Sequence, residues 1–93
     1  MKVSLDEIKQ VFDELIDGKK TREEASSWAL KRVFASDEKI LEYDPPHDEK
    51  NIWEAIIFLA GVDMISTDRP YLFDKEDFIE YKHRLDLWTK KYF

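Results

Sequence analysis

A chain of 93 residues with 21 acidic and 15 basic side chains carries a formal charge of −6, and its length suits one folding unit. Hydrophobic residues make up 43 % and aromatics 14 %, too apolar and too aromatic for a disordered segment. The absence of cysteine excludes disulfide frameworks, thiolate metal sites and thiol nucleophiles, and two glycines leave no material for a phosphate-cradling loop.

The longest uninterrupted apolar run, Ala55 to Ala60, falls far short of the roughly 20 residues that span a bilayer. Met1 to Asp6 leads straight into an amphipathic pattern, with no hydrophobic leader. A soluble cytoplasmic protein without membrane attachment is expected.

The first helix is predicted over about 5–17. Ser4 and Glu7 have the spacing of a capping box, and Val3 and Ile8 that of a hydrophobic staple. Leu5, Ile8, Phe12, Leu15 and Ile16 form one stripe, and Gly18 suits a left-handed helix end. The second helix, about 22–35, starts on another box, Thr21-Arg22-Glu23-Glu24. Its stripe is Ala25, Trp28, Ala29 and Val33, widened by Leu30 and Phe34, which predicts cover on more than one side. The short link makes the two helices antiparallel neighbours.

Residues 36–48 read as a loop anchored by Ile40, Leu41 and Tyr43, because Pro45-Pro46 forbids a continuing helix. A third helix over about 49–60 is capped by Asp48, is apolar almost all round, and should be central; Gly61 and Val62 suit a Schellman ending. After a second loop, 63–73, Asp74 caps a fourth helix over about 75–90. Phe78, Tyr81, Leu85, Trp88 and Tyr92 form its seam. The expected architecture is all-α, a four-helix single domain over residues 1–93.

Little in this pattern suggests turnover. No two carboxylates stand out as an acid–base pair, and His47 lies in a loop beside Asp48. Glu80 and His83 form one Glu-x-x-His, whereas a di-iron bundle needs it twice with two further Glu. Ser26-Ser27 and Ser66-Thr67 lack a nucleophile-elbow context. No enzyme, cofactor or metal is expected.

Charge is uneven along the chain. Residues 18–36 hold five basic side chains against two acidic ones, while 37–54 hold seven acidic against two basic, and 63–80 six acidic against two basic. Part of the negative charge sits at helix starts, where the macrodipole favours it. The rest suggests an acidic face from two loops, with Tyr43 and Tyr71 as anchors and Asp44, Asp48, Glu49 and Asp68 around them. A helix-turn-helix reading places Lys19, Lys20, Arg22, Lys31 and Arg32 against phosphates. The negative net charge opposes that reading and ranks nucleic acid last among the partners.

Leu15-Ile16-Asp17-Gly18, Thr21 to Ala29, Trp53-Glu54-Ala55, Leu59 to Asp63, Pro70 to Phe73 and Glu76-Asp77-Phe78 together carry a resemblance over roughly residues 12–80. The chain resembles small acidic helical bacterial proteins, mostly uncharacterised, some of them similar to immunity proteins of polymorphic or contact-dependent toxin systems. That resemblance implies a non-catalytic protein that binds and occludes a basic toxin domain. The alternative expectation is a homo-oligomeric module, with the C-terminal seam ending in Trp88 and Tyr92 as the contact to a second copy.

Overall fold

The computed structural model describes residues 1–44, 46–64 and 73–92, the last five in backbone only. The fold is all-α, with four helices among the described residues: α1 (Leu5–Ile16), α2 (Arg22–Asp37), α3 (Glu49–Ala60) and α4 (Lys75–Tyr92). Two three-residue strands, β1 (Lys2–Ser4) and β2 (Glu42–Asp44), are added to the helices. They pair in parallel, Val3 opposite Tyr43, so the lead-in to α1 and the presumed loop after α2 form one small sheet. Such short strands carry no alternation that a sequence pattern can show.

The helix starts follow the caps. Ser4 Oγ accepts the Glu7 N–H at 3.0 Å, and Val3 and Ile8, the two staple positions, are fully buried. Thr21 and Glu24 form a complete reciprocal box, and Asp74 and Asp77 form an all-aspartate version of it. Asp48 is the exception. It precedes α3 after a single 3₁₀ turn (Pro46–Asp48), but its side chain makes no capping bond. The box in α2 also sets a charge. The Thr21 backbone N–H, and then its hydroxyl, hold the Glu24 carboxyl below the usual carboxylate range.

The ends differ from one another. At Gly18 (φ +75°) the Lys19 N–H bonds Glu14 O and the Gly18 N–H bonds Leu15 O, the two bonds of a Schellman motif. α2 ends in the same two bonds, from Ile40 to Ala35 and from Lys39 to Ser36, but the left-handed position holds Lys39 (φ 60°). A lysine there costs about 1 kcal/mol that a glycine avoids. Gly61 is not left-handed: α3 ends in i→i+3 turns, with Val62 folded back and fully buried.

The core gathers Ile8, Phe12, Ile52, Ile56 and Leu59 with Phe78 and Leu85. Phe58 is its aromatic hub, with ring centroids 4.6 Å from Tyr81, 4.8 Å from Phe73 and 5.8 Å from Phe12. α1 and α4 run antiparallel, tied by Lys9–Asp86 at 3.3 Å and by the Lys82–Asp13 pair. α2 and α3 also run antiparallel. The buried Ser26 hydroxyl donates to Ala60 O at 2.7 Å, at the start of one helix and the end of the other. Leu30 and Phe34 prove 40 % and 62 % exposed and Ile57 47 %, so neither helix is covered all round. Positions 30 and 34 lie beyond the stripe that meets α3, and 57 beyond the stripe that meets α2. Trp88 and Tyr92, and with them the seam proposed for self-association, lie outside the described side chains.

Candidate functional site

Two surface regions gather polar and aromatic side chains, and they have opposite charge. The first is the mouth formed by the sheet and the start of α3. Parallel pairing places Tyr43 and Asp44 beside Val3 and Ser4, and the 3₁₀ turn brings Glu49 back towards them. A cleft of about 420 Å³ is lined by Lys2, Glu42, Tyr43, Asp44, Pro46 and Glu49. Tyr43 and Glu49 also line a second cleft of about 370 Å³ with Ser36, Lys50 and Trp53.

The fold therefore does bring Tyr43, Asp44 and Glu49 together. Asp48 belongs beneath them and not among them: it is 1 % exposed, and both carboxylate oxygens are buried without a hydrogen-bond donor among the described residues. The exposed imidazole of His47 lies 3.8 Å away. Asp48 cannot present a charge to a partner, because its oxygens face the interior. Asp68 and Tyr71 lie outside the described residues. Among the described residues, no group of three or more histidine or carboxylate side chains is placed to hold a metal ion.

The second region is the edge of α2 that faces away from α3. The Schellman turn at Gly18 throws Lys19 and Lys20 out ahead of the helix, and Lys31 stands exposed two and a half turns further on. Trp28 and Arg32, four residues apart, share one helix face. The Arg32 guanidinium carbon lies 3.9 Å from the indole centroid. Its Nη1 donates to Trp28 O at 3.0 Å, and its Nη2 is 3.8 Å from a Glu7 carboxylate oxygen. Burial lowers the Arg32 pKa, with Glu7 opposing the shift, and the group remains cationic at neutral pH. The stack is therefore fixed from three sides and charged.

A cleft of about 440 Å³ lies over it, lined by Lys20, Lys31 and Arg32, by the carboxylates of Glu23 and Glu24, and by Ser27 and Trp28. Lys20 is partly neutralised by Glu14 at 3.5 Å, whereas Lys19 and Lys31 form no ion pair among the described residues. Arg22 departs from the expected phosphate set. Its Nη1 donates to Val62 O at 3.4 Å and to Phe73 O, and its guanidinium lies 4.8 Å over the Phe78 ring. It clamps the segment after α3 to the segment before α4, so its guanidinium is engaged within the protein although the residue is only partly buried. The sequence reading missed the Trp28–Arg32 stack by assigning Trp28 wholly to the core; the i, i+4 spacing of an indole and a guanidinium was the available signal.

No solved structure matches the chain. A curated relative, "Uncharacterized protein YxzC" of Bacillus subtilis (strain 168), is 31 % identical over 78 residues, which cover 84 % of this chain and 52 % of the relative. The chain thus spans about half the length of the curated relative it matches. A family model described as "YxzC DNA-binding protein" matches residues 2–92. That description overturns the expectation of a toxin inhibitor, and with it the last rank given to nucleic acid. The net charge of the whole chain is a poor guide here, because Lys20, Lys31 and Arg32 gather on one helix edge, where Glu23 and Glu24 only partly offset them. The resemblance holds at the coarser level of small, uncharacterised bacterial proteins. With a match that runs through nearly the whole sequence, the chain belongs to the YxzC family of proteins.

Proposed function

We propose that this chain is a cytoplasmic, non-catalytic DNA-binding protein that meets its ligand with the basic edge of α2. The observation that carries the reading is the concentration of cationic groups there. Lys19 and Lys31 are exposed without an ion pair among the described residues, and Lys20 and the Trp28–Arg32 stack lie between them, on a molecule of formal charge −6. The family's description supports the same ligand. Among the described residues no helix is long and apolar enough to cross a membrane, which is consistent with work beside DNA.

Electrostatics sets the mechanism and its limits. Lys19, Lys20 and Lys31 displace the cations condensed on the phosphates they approach, and that release drives binding. Three such contacts predict a slope of about −2.7 for log K against log salt on duplex DNA. The acidic mouth and the remaining carboxylates repel the strand elsewhere, which confines it to this edge. Fluorescence anisotropy of a labelled oligonucleotide, titrated at several salt concentrations, tests the reading. Binding that weakens with salt at about that slope is expected, and the absence of binding to any DNA at about 20 mM salt would sink it.

A further inference from the structure

Resting on that reading, we infer that the Trp28–Arg32 face receives an unpaired nucleobase, so that the chain prefers single-stranded DNA to the duplex of the same sequence. The outer surface of α2 is ill suited to a major groove. Glu23 and Glu24 are exposed in its first turn, where a recognition helix would meet base edges, and Leu30, Phe34 and Asp37 are exposed further along. A helix laid in the groove would press these carboxylates towards phosphates on both walls. A single strand along the Lys20–Lys31 edge brings one line of phosphates instead of two, to a place where Glu23 and Glu24 are flanked by Lys20 and Lys31.

The same edge offers what an unpaired base needs. The indole of Trp28 is half-buried, and the Arg32 guanidinium upon it is held by its bond to Trp28 O and by Glu7. The result is a pre-ordered flat cation at the floor of a cleft. Arg32 Nε is buried without a hydrogen-bond partner among the described residues. The cleft's volume, about 440 Å³, falls within the usual range of small-molecule sites. Lys20 and Lys31 stand along it for the flanking phosphates, and the Ser27 hydroxyl and Glu24 carboxylate supply polar groups for a base edge. Base stacking on an aromatic or guanidinium plane tolerates any sequence and does not depend on counterion release. It therefore supplies affinity that so few lysines cannot.

The experiment compares one labelled 12-nucleotide strand, its hairpin duplex and the RNA strand of equal sequence by anisotropy. The proteins are the unaltered chain, Trp28→Leu, Trp28→Phe and Lys31→Ala, with helicity checked by circular dichroism. At least roughly tenfold tighter binding to the single DNA strand is expected, the size of one stacked base. Trp28→Leu should lose most of that margin, Trp28→Phe should keep most of it, and Lys31→Ala should weaken strand and duplex alike. Equal or tighter binding to the duplex, or a preference for the RNA strand, would overturn the inference while leaving DNA binding in place. If Trp28→Leu fails to fold, the strand-to-duplex ratio of the unaltered chain decides. Failure of all three nucleic acids to bind would remove the underlying reading and this one with it.

Discussion

The edge of α2 and the mouth at the start of α3 are built from similar materials: an aromatic ring, a few charges and a cleft of about 400 Å³. They differ in how the charges are held. On α2 the cation is fixed by contacts on every side that matters, since Arg32 is stacked on Trp28, bonded to a carbonyl and balanced by Glu7. At the mouth the exposed anions Glu42, Asp44 and Glu49 stand in water, and the one that is fixed, Asp48, is buried without a donor among the described residues. Pre-ordered charge is worth more to a ligand than solvated charge, because the cost of ordering is already met in folding. A count of acidic residues is therefore a poor guide to which face recognises something.

Breaking the α2 edge should give the largest effect. Lys19→Glu combined with Lys31→Glu is expected to lower DNA affinity by roughly 50-fold at 0.1 M salt and to flatten the salt slope by about two. Unchanged affinity in a salt titration would show that α2 is not the contact. Next comes the buried anion at the mouth. Asp48→Asn removes a charge that has no donor and should raise stability by about 1–2 kcal/mol in chemical denaturation. A loss of stability would mean that the carboxylate has a partner it needs.

Between the two regions, Lys39→Gly relieves the left-handed lysine that joins α2 to β2. It should add about 1 kcal/mol, read from the same denaturation curves, with no change in DNA affinity. Charge reversal at the mouth, Asp44→Lys with Glu49→Lys, should increase DNA affinity only a few-fold, and less as salt rises and the Debye length falls below about 10 Å. An increase as large as the loss at α2 would make the mouth, and not α2, the site of contact.

The smallest effect concerns pH. The Glu24 carboxyl is held below its usual range by its bonds to Thr21, so its contribution to stability is present above the unfolded pKa and is lost as pH falls through the folded value. Thermal melts of the unaltered chain and Glu24→Gln should therefore differ at neutral pH and converge in acid. A difference that persists at low pH would show that the box acts through packing and not through charge.

Much of the architecture can be read along the chain because its signals are local. Ser4 with Glu7, Thr21 with Glu24, Asp74 with Asp77 and Gly18 each satisfy backbone groups within a few residues; α1, α2 and α4 begin at the three pairs, and α1 ends at the glycine. Asp48 has the same local signature as the other caps, yet its side chain is turned inward. Lys39 takes a glycine's position with no glycine to announce it.

Sequence by itself determined the number, starts and apolar stripes of the helices, because caps and periodicity act over one or two turns. Only the tertiary structure decided that residues 2–4 pair with 42–44, that Arg22 serves the interior, and that Trp28 and Arg32 make a fixed surface while Leu30, Phe34 and Ile57 face outward. The physical reason is distance along the chain. Arg22 finds its acceptors 40 and 51 residues away, and which face of α2 stays open depends on where α1 and α3 come to rest against it.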